Sequence, residues 1–252
     1  MRRSSDKKHW DDFWAASQEL DDVYGTDDRI LDNLQQYLSF DGLRVLEVGA
    51  GTGRDTDAIA SRNATAYALD YSEESLSLMK KSLRNEVMIA CGDALRLPFR
   101  DESFDVVFHQ GLLEHFRRPG DLLDENVRVL KKNGILLVDV PQRYHYYTVL
   151  KHILIACGRW FAGWEREFSA RELRGLLEER GVQVLGTYGH NQFPPIWYRG
   201  LRRLFLKIGL RLPMYPRGPR LVAGLGRLLR ALAPAGLHVN TAMIVGCIAR
   251  KK

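Results

Sequence analysis

The feature that most constrains this chain is a short apolar run ending in three glycines, each two residues from the next: Val45-Leu46-Glu47-Val48-Gly49-Ala50-Gly51-Thr52-Gly53. A run of that length bounded by glycine reads as a buried strand, and a helical pattern follows it over 54–62. Glycine lacks a β-carbon, so it reaches positive φ and lets a ligand lie against the backbone. The helix beyond the loop offers unpaired N–H groups to an acidic ligand group. The same residues would equally serve a tight strand-to-helix turn that binds nothing.

Spacing separates the ligand classes. A dinucleotide site is written G-x-G-x-x-G, whereas this loop is G-x-G-x-G, with an acid, Glu47, inside the strand. NAD is therefore disfavoured.

The rest of the chain repeats the rhythm. Strands are expected at 43–48, 64–69, 87–91, 104–108, 135–140, 182–188 and 240–249. Between them the spacing predicts helices over 73–83 with Ser72 as N-cap, over 121–130 closed by Asn133-Gly134, and over 169–180 with Ser169 as cap. Such alternation argues for an α/β fold whose mainly parallel sheet carries helices on both faces. Ligands of such sheets bind beyond the carboxyl ends of the central strands. Residues 1–40, with Trp10, Phe13, Trp14, Ile30, Leu31, Leu34 and Leu38 at helical spacing, read as an N-terminal helical cap on a domain over 41–252. Two insertions interrupt that domain, at 142–168 and 190–238.

Composition bears on class and compartment. With 45% hydrophobic and 27% charged residues the chain is that of an ordinary globular protein rather than a disordered or fibrous one. Its three cysteines, Cys91, Cys157 and Cys247, are scattered and lack CxxC spacing, which argues for a reduced, cytoplasmic setting. No apolar segment follows the basic N-terminus, so no secretory signal is expected. The charge-free stretch 231–249 is broken by Pro234, Gly236, His238, Asn240 and Thr241, which makes it a poor bilayer helix.

The loop E-V-G-A-G-T-G resembles the first motif of the class I S-adenosylmethionine-dependent methyltransferases, in their small-molecule and lipid branch, and the likeness continues in order from 43 to 141. Asp70 ends the second strand as Leu69-Asp70-Tyr71-Ser72, Gly92-Asp93-Ala94 follows the third, and Leu97-Pro98-Phe99 and Ser103-Phe104-Asp105 come next. His109-Gln110-Gly111-Leu112-Leu113-Glu114-His115 then matches the family's fourth-strand pattern. The resemblance implies a Rossmann-like fold, a seven-stranded mainly parallel sheet with an antiparallel last strand, and S-adenosylmethionine as cofactor. It assigns Gly49, Ala50, Gly51 and Gly53 to the methionine end with Glu47 near its ammonium group. Asp70 and the adjoining Tyr71 fall at the ribose, Asp93 and Ala94 at the adenine, and Gln110 near the sulfonium carbon. Taken singly, Asp70 or Asp93 could be an ordinary turn or cap residue.

The acceptor is narrowed mainly by exclusion. The fourth strand does not end in an N-P-P-Y type motif, and no Pro-Cys nucleophile is present, so methylation of DNA bases is disfavoured. His115 is a candidate general base, and the alternative is a histidine that orients its loop. Relatives that hold a divalent metal here use two acids and the histidine; Gly111 occupies one acidic position, so no metal is expected. Tyr144, His145 and His190 in the insertions are weaker candidates.

From Arg180 onward there are thirteen Lys or Arg and no Asp or Glu. Leucines at helical spacing over 201–212 and 220–232 alternate with arginines. This pattern suits a basic amphipathic surface at 199–232 against anionic lipid, hence peripheral attachment to the inner face of a membrane and a hydrophobic or lipid-linked acceptor. The bland alternative packs the leucines on the sheet; an RNA methyltransferase, or a binding protein that has lost catalysis, are further readings. Nucleic acid is less favoured because leucine, rather than stacking aromatics, separates the basic residues.

Overall fold

A computed structural model describes residues 7–16, 28–158, 165–191, 198, 201–202, 204–205, 209–213 and 236–252. Seven strands form one sheet: β1 (Arg44–Val48), β2 (Thr65–Asp70), β3 (Val87–Cys91), β4 (Phe104–Gln110), β5 (Leu130–Pro141), β6 (Val182–His190) and β7 (Ile244–Lys251), in the order β3-β2-β1-β4-β5-β7-β6. Pairings from β3 through β5 are parallel, while β7 runs antiparallel between β5 and β6.

Alternation along each central strand builds two cores. Leu46, Val107 and Leu136 face one side, with Leu122, Leu123 and Val129 of α5 (Pro119–Val129) and Leu173 and Leu177 of α7 (Ala170–Glu178). Their neighbours Val45, Val106 and Leu137 face the other, against Ile30, Leu31 and Leu34 of α2 (Arg29–Leu34) and Ile59 of α3 (Arg54–Ala60). A period of two in the strands thus meets one apolar stripe on each helix.

Local signals place several helices as their residues dictate. Ser72 caps α4 (Glu73–Ser82) by accepting from the Ser75 N–H. Ser169 and Glu172 form a reciprocal capping box on α7, an arrangement that stabilises a helix by about 1 kcal/mol.

Two local expectations are corrected. Asn133-Gly134 does not close a helix: α5 ends at Val129, and both residues lie in β5 at an irregularity of its pairing with β4. Asn133 there takes φ 62°, the left-handed conformation that suggests a helix end in the sequence. The last strand does not begin at Asn240; that residue and Thr241 belong to a short helix, α8 (Leu237–Thr241), and β7 starts at Ile244. No helix among the described residues is long and apolar enough to cross a membrane. The absence of charge from Ile244 to Ala249 instead reflects a strand enclosed between two others. Among its described residues the insertion at 142–168 holds one helix, α6 (Tyr146–Ala156), and returns to the sheet where Gln142 pairs with Phe168. Most of the basic surface expected at 199–232 lies outside the described residues.

Candidate functional site

The glycine loop leaves β1 and is stitched to the end of β2. Gly49, Gly51 and Gly53 take φ of 69°, 57° and 70°, values that other residues adopt at a penalty. The Gly49 and Ala50 N–H groups donate to the Leu69 carbonyl at 2.7 and 3.0 Å. Gly51 donates to Asp70 Oδ2 at 2.8 Å, and Ser75 Oγ donates to the Gly51 carbonyl at 2.6 Å. A β-carbon on Gly49 would lie 2.9 Å from Leu112 Cδ1, so a side chain there would displace the tip of Leu112.

Asp70 is buried and accepts from Gly51 and, on Oδ1, from the Ser72 N–H at 2.9 Å. Burial raises its pKa, against these backbone donors. A carboxylate carries about four acceptor sites, more than the Gly51, Tyr71 and Ser72 backbone donors fill. Tyr71 follows, half-buried. Beyond β3, Asp93 accepts from the Leu95 N–H at 2.8 Å in a turn that sets Ala94 in the core. That turn is the ordinary role the sequence left open for Asp93, and one oxygen is committed to it.

Beneath the loop lies a polar network only partly foreshadowed by the sequence. Glu47, buried, accepts from the hydroxyl of Thr56 and from its N–H at 3.2 Å. The Gln110 amide nitrogen donates to Asp55 and stands 3.4 Å from Glu47. Gln110 Oε1 in turn accepts from Arg29 at 2.8 Å, and Arg29 bonds Asp139 at 3.1 Å, which also accepts from Tyr188 at 2.8 Å. Burial, with the neighbouring Asp55 charge, pushes the Glu47 carboxyl up to about 8. The direct partners of Glu47 are neutral donors, while Asp55 is paired with Arg54 at 3.1 Å. Asp55 and Thr56 sit just past the third glycine, where the sequence shows them only as the first turn of a helix. Arg29, Asp139 and Tyr188 are brought in by distant elements.

Over the mouth of this region lies α1 (Lys7–Ala16). Asp11 accepts from Ser72 Oγ at 2.6 Å and from the Glu73 N–H at 3.1 Å, and Lys7 bonds Glu73 at 2.9 Å. At the same time Trp10 packs edge-on against the His115 ring, with centroids 4.8 Å apart. His115 is buried in a single turn of 3-10 helix after β4 (Leu113–His115), together with Glu114. Burial and the charge of Glu165 hold the Glu114 carboxyl well above the ordinary range. Among the described residues no group of three or more His, Cys, Asp or Glu is gathered as a metal site would need.

A parallel sheet with one antiparallel strand slotted beside its last member, and a glycine loop at the carboxyl end of β1, is the architecture of Rossmann-like methyltransferases. Comparison with known proteins agrees. A family model described as a methyltransferase domain matches residues 46–138. A demethylmenaquinone methyltransferase of Renibacterium salmoninarum is 39% identical over 97 residues, 38% of this chain and 40% of that protein. A chloroplastic 2-methyl-6-phytyl-1,4-hydroquinone methyltransferase of Oryza sativa is 30% identical over 172 residues, 67% of this chain and 48% of that protein. Among solved structures, magnesium protoporphyrin IX methyltransferase from Synechocystis with bound SAH shares the fold at a TM-score of 0.58 and 14% identity, covering 97% of this chain and 93% of that one. Residues 46–138 are a methyltransferase domain, and the chain is similar to the class I S-adenosylmethionine-dependent methyltransferases, whose methyl donor is S-adenosylmethionine. Its matched segments span only 25% to 55% of the length of the first curated relatives.

Proposed function

We propose that this chain transfers a methyl group from S-adenosylmethionine to a small hydrophobic or lipid-linked acceptor. The observation that carries the reading is the Gly49–Gly53 loop held to Asp70 above two buried carboxylates, Glu47 and Asp55. Those residues fit the cofactor chemically. Glu47 suits a cationic ammonium group, the glycine loop admits a close backbone approach, and Asp70 retains lone pairs for vicinal hydroxyls. Asp93 and Ala94 would face the adenine, and Gln110, fixed between Asp55 and Arg29, would border the reacting carbon.

When bound, the cofactor supplies a methyl group on a positively charged sulfur. Held by the Gly49–Gly53 loop, Asp70, Asp93 and Gln110, it would offer that carbon to in-line displacement by the acceptor, with a neutral sulfide as the leaving group. The protein contributes chiefly by holding the two reactants in line, the effect that dominates such displacements. Where the acceptor must lose a proton, His115 would take it, and Trp10 packs edge-on against its ring. The relatives named for menaquinone and phytylquinol substrates support an apolar acceptor, as do the leucine-rich and aromatic insertions.

The test has two parts. Calorimetric titration with S-adenosylhomocysteine should give micromolar binding, and labelled methyl groups should pass into the organic-extractable fraction of a cell extract. Label found only in nucleic acid would overturn the acceptor class, and failure to bind the adenosyl compound would overturn the reading as a whole.

A further inference from the structure

Helix α6 is built inside out. Tyr146, Val149, Leu150 and Ile153, spaced as one helical face, are between 48% and 66% exposed. The lysine of the same helix, Lys151, is only 2% exposed and points inward. There its ammonium group meets Glu165 at 2.7 Å and Glu167 at 2.6 Å, and His152 bonds Glu167 at 2.9 Å. A solvated surface helix normally shows the reverse arrangement, charge outward and leucines inward.

The consequence for the surface is chemical. Residues 143–164 contain no Asp or Glu, and the acids that close the segment, Glu165 and Glu167, are withdrawn into the interior to neutralise Lys151. Outside remain exposed aliphatic side chains and two tyrosines, Tyr144 and Tyr146, with no anionic group among them. Gln142 anchors the start of this segment to the Val239 and Asn240 carbonyls of α8, whose Leu237 is also exposed. From Arg180 to the C-terminus the sequence again holds thirteen cations and no acid.

We propose that the outward face of α6 is the surface by which this protein docks on an anionic lipid bilayer. Apolar side chains bordered by two tyrosines and the exposed Arg143, with Glu165 and Glu167 turned inward, match the interfacial zone of such a membrane. A second copy of the chain is a poorer partner, since residues 143–164 hold no carboxylate to meet the Arg143 of another copy. RNA is poorer still, because Val149, Leu150 and Ile153 offer neither hydrogen bonds nor stacking. Docking would bring the site to a hydrophobic acceptor dissolved in the bilayer, and in that respect the inference rests on the function proposed above.

The experiment is co-sedimentation of the full chain with vesicles of phosphatidylglycerol and phosphatidylcholine, against pure phosphatidylcholine, at two salt concentrations. Wild type should partition to the anionic vesicles and less so at higher salt. Val149→Glu with Ile153→Glu, at exposed positions, should lower the partition coefficient by at least about tenfold. The variant's melting temperature and S-adenosylhomocysteine affinity should stay at wild-type values. Equal retention of wild type and variant would overturn the proposal, as would no retention of wild type, or a dimer in solution that the variant dissociates. Vesicle binding requires no methyl transfer, so a failed acceptor assay with intact docking would sink only the functional reading.

Discussion

Replacing Asp70 by Asn tests the site at the residue where loop geometry and ligand chemistry meet. Its carboxylate receives the Gly51 and Ser72 N–H groups at 2.8 and 2.9 Å in a buried setting. An asparagine has one acceptor oxygen, so it keeps one of these bonds and turns an NH2 toward the other donor. A hydrogen bond to a charged partner contributes about 1.5–3 kcal/mol, and a stranded buried N–H costs about 1–3 kcal/mol. Against this, burial already disfavours the ionised Asp70, and the neutral amide recovers part of that loss. The net expectation is a destabilisation of about 1–3 kcal/mol, or about 2–10 °C in melting temperature for a chain of this size. Ligand affinity should fall separately. Loss of an acceptor for vicinal hydroxyls is expected to weaken S-adenosylhomocysteine binding by about 10- to 100-fold, or about 1.4–2.8 kcal/mol. Scanning calorimetry of the ligand-free protein reads the first effect and isothermal titration the second. A lowered melting temperature with affinity within about twofold of wild type would make Asp70 a loop staple and refute the ribose role. An unchanged melting temperature would refute the hydrogen-bond accounting.

Three further outcomes follow from the buried charges. Glu47 has its pKa raised by burial and by Asp55, so it is largely protonated between its ordinary value of 4.5 and about 8, and fold stability declines as pH rises through that window. A cationic ligand group should reverse this, so S-adenosylhomocysteine binding should release a proton near pH 7, seen as a dependence of binding heat on buffer ionisation enthalpy; no such dependence would remove Glu47 from the ammonium site. His109 is buried with neither ring nitrogen bonded and its pKa lowered to about 3 by burial, so the unfolded chain takes up the proton first and stability falls as pH drops below 6.5. His109→Leu should therefore stabilise more at pH 5 than at pH 8 in denaturant titrations. Lys151→Ala should destabilise by about 3–5 kcal/mol, because it leaves Glu165 and Glu167 buried without their cation. Chemical denaturation reads the loss, and a value below about 1 kcal/mol would show the ion cluster to be incidental.

Much of the fold was legible because its signals are local. The limits of β3 follow from five residues between turns, and the caps at Ser72 and Ser169 act within a single turn of helix. The glycine loop was legible for the same reason: positive φ and close approach are demands on the backbone at those very positions. Glu47, Asp70 and Gln110 could be marked as candidates because each stands at a fixed offset from a strand end. What Glu47 and Gln110 bond to was not legible, since Asp55, Arg29, Asp139 and Tyr188 converge from four elements far apart in the chain.

The C-terminus and α6 mark the division most clearly. The sequence alone determined that 244–249 is a charge-free strand segment, because burial on both sides selects against charge whatever the neighbours are. Only the tertiary structure decided that it enters between β5 and β6, and that Asn240 and Thr241 turn aside into α8 before it starts. In α6 the same pattern of apolar and basic residues is compatible with either face turned inward, since helical periodicity fixes which residues share a face but not which face meets the core. Two carboxylates at Glu165 and Glu167 settle it, drawing Lys151 inside and leaving the aliphatic face outside.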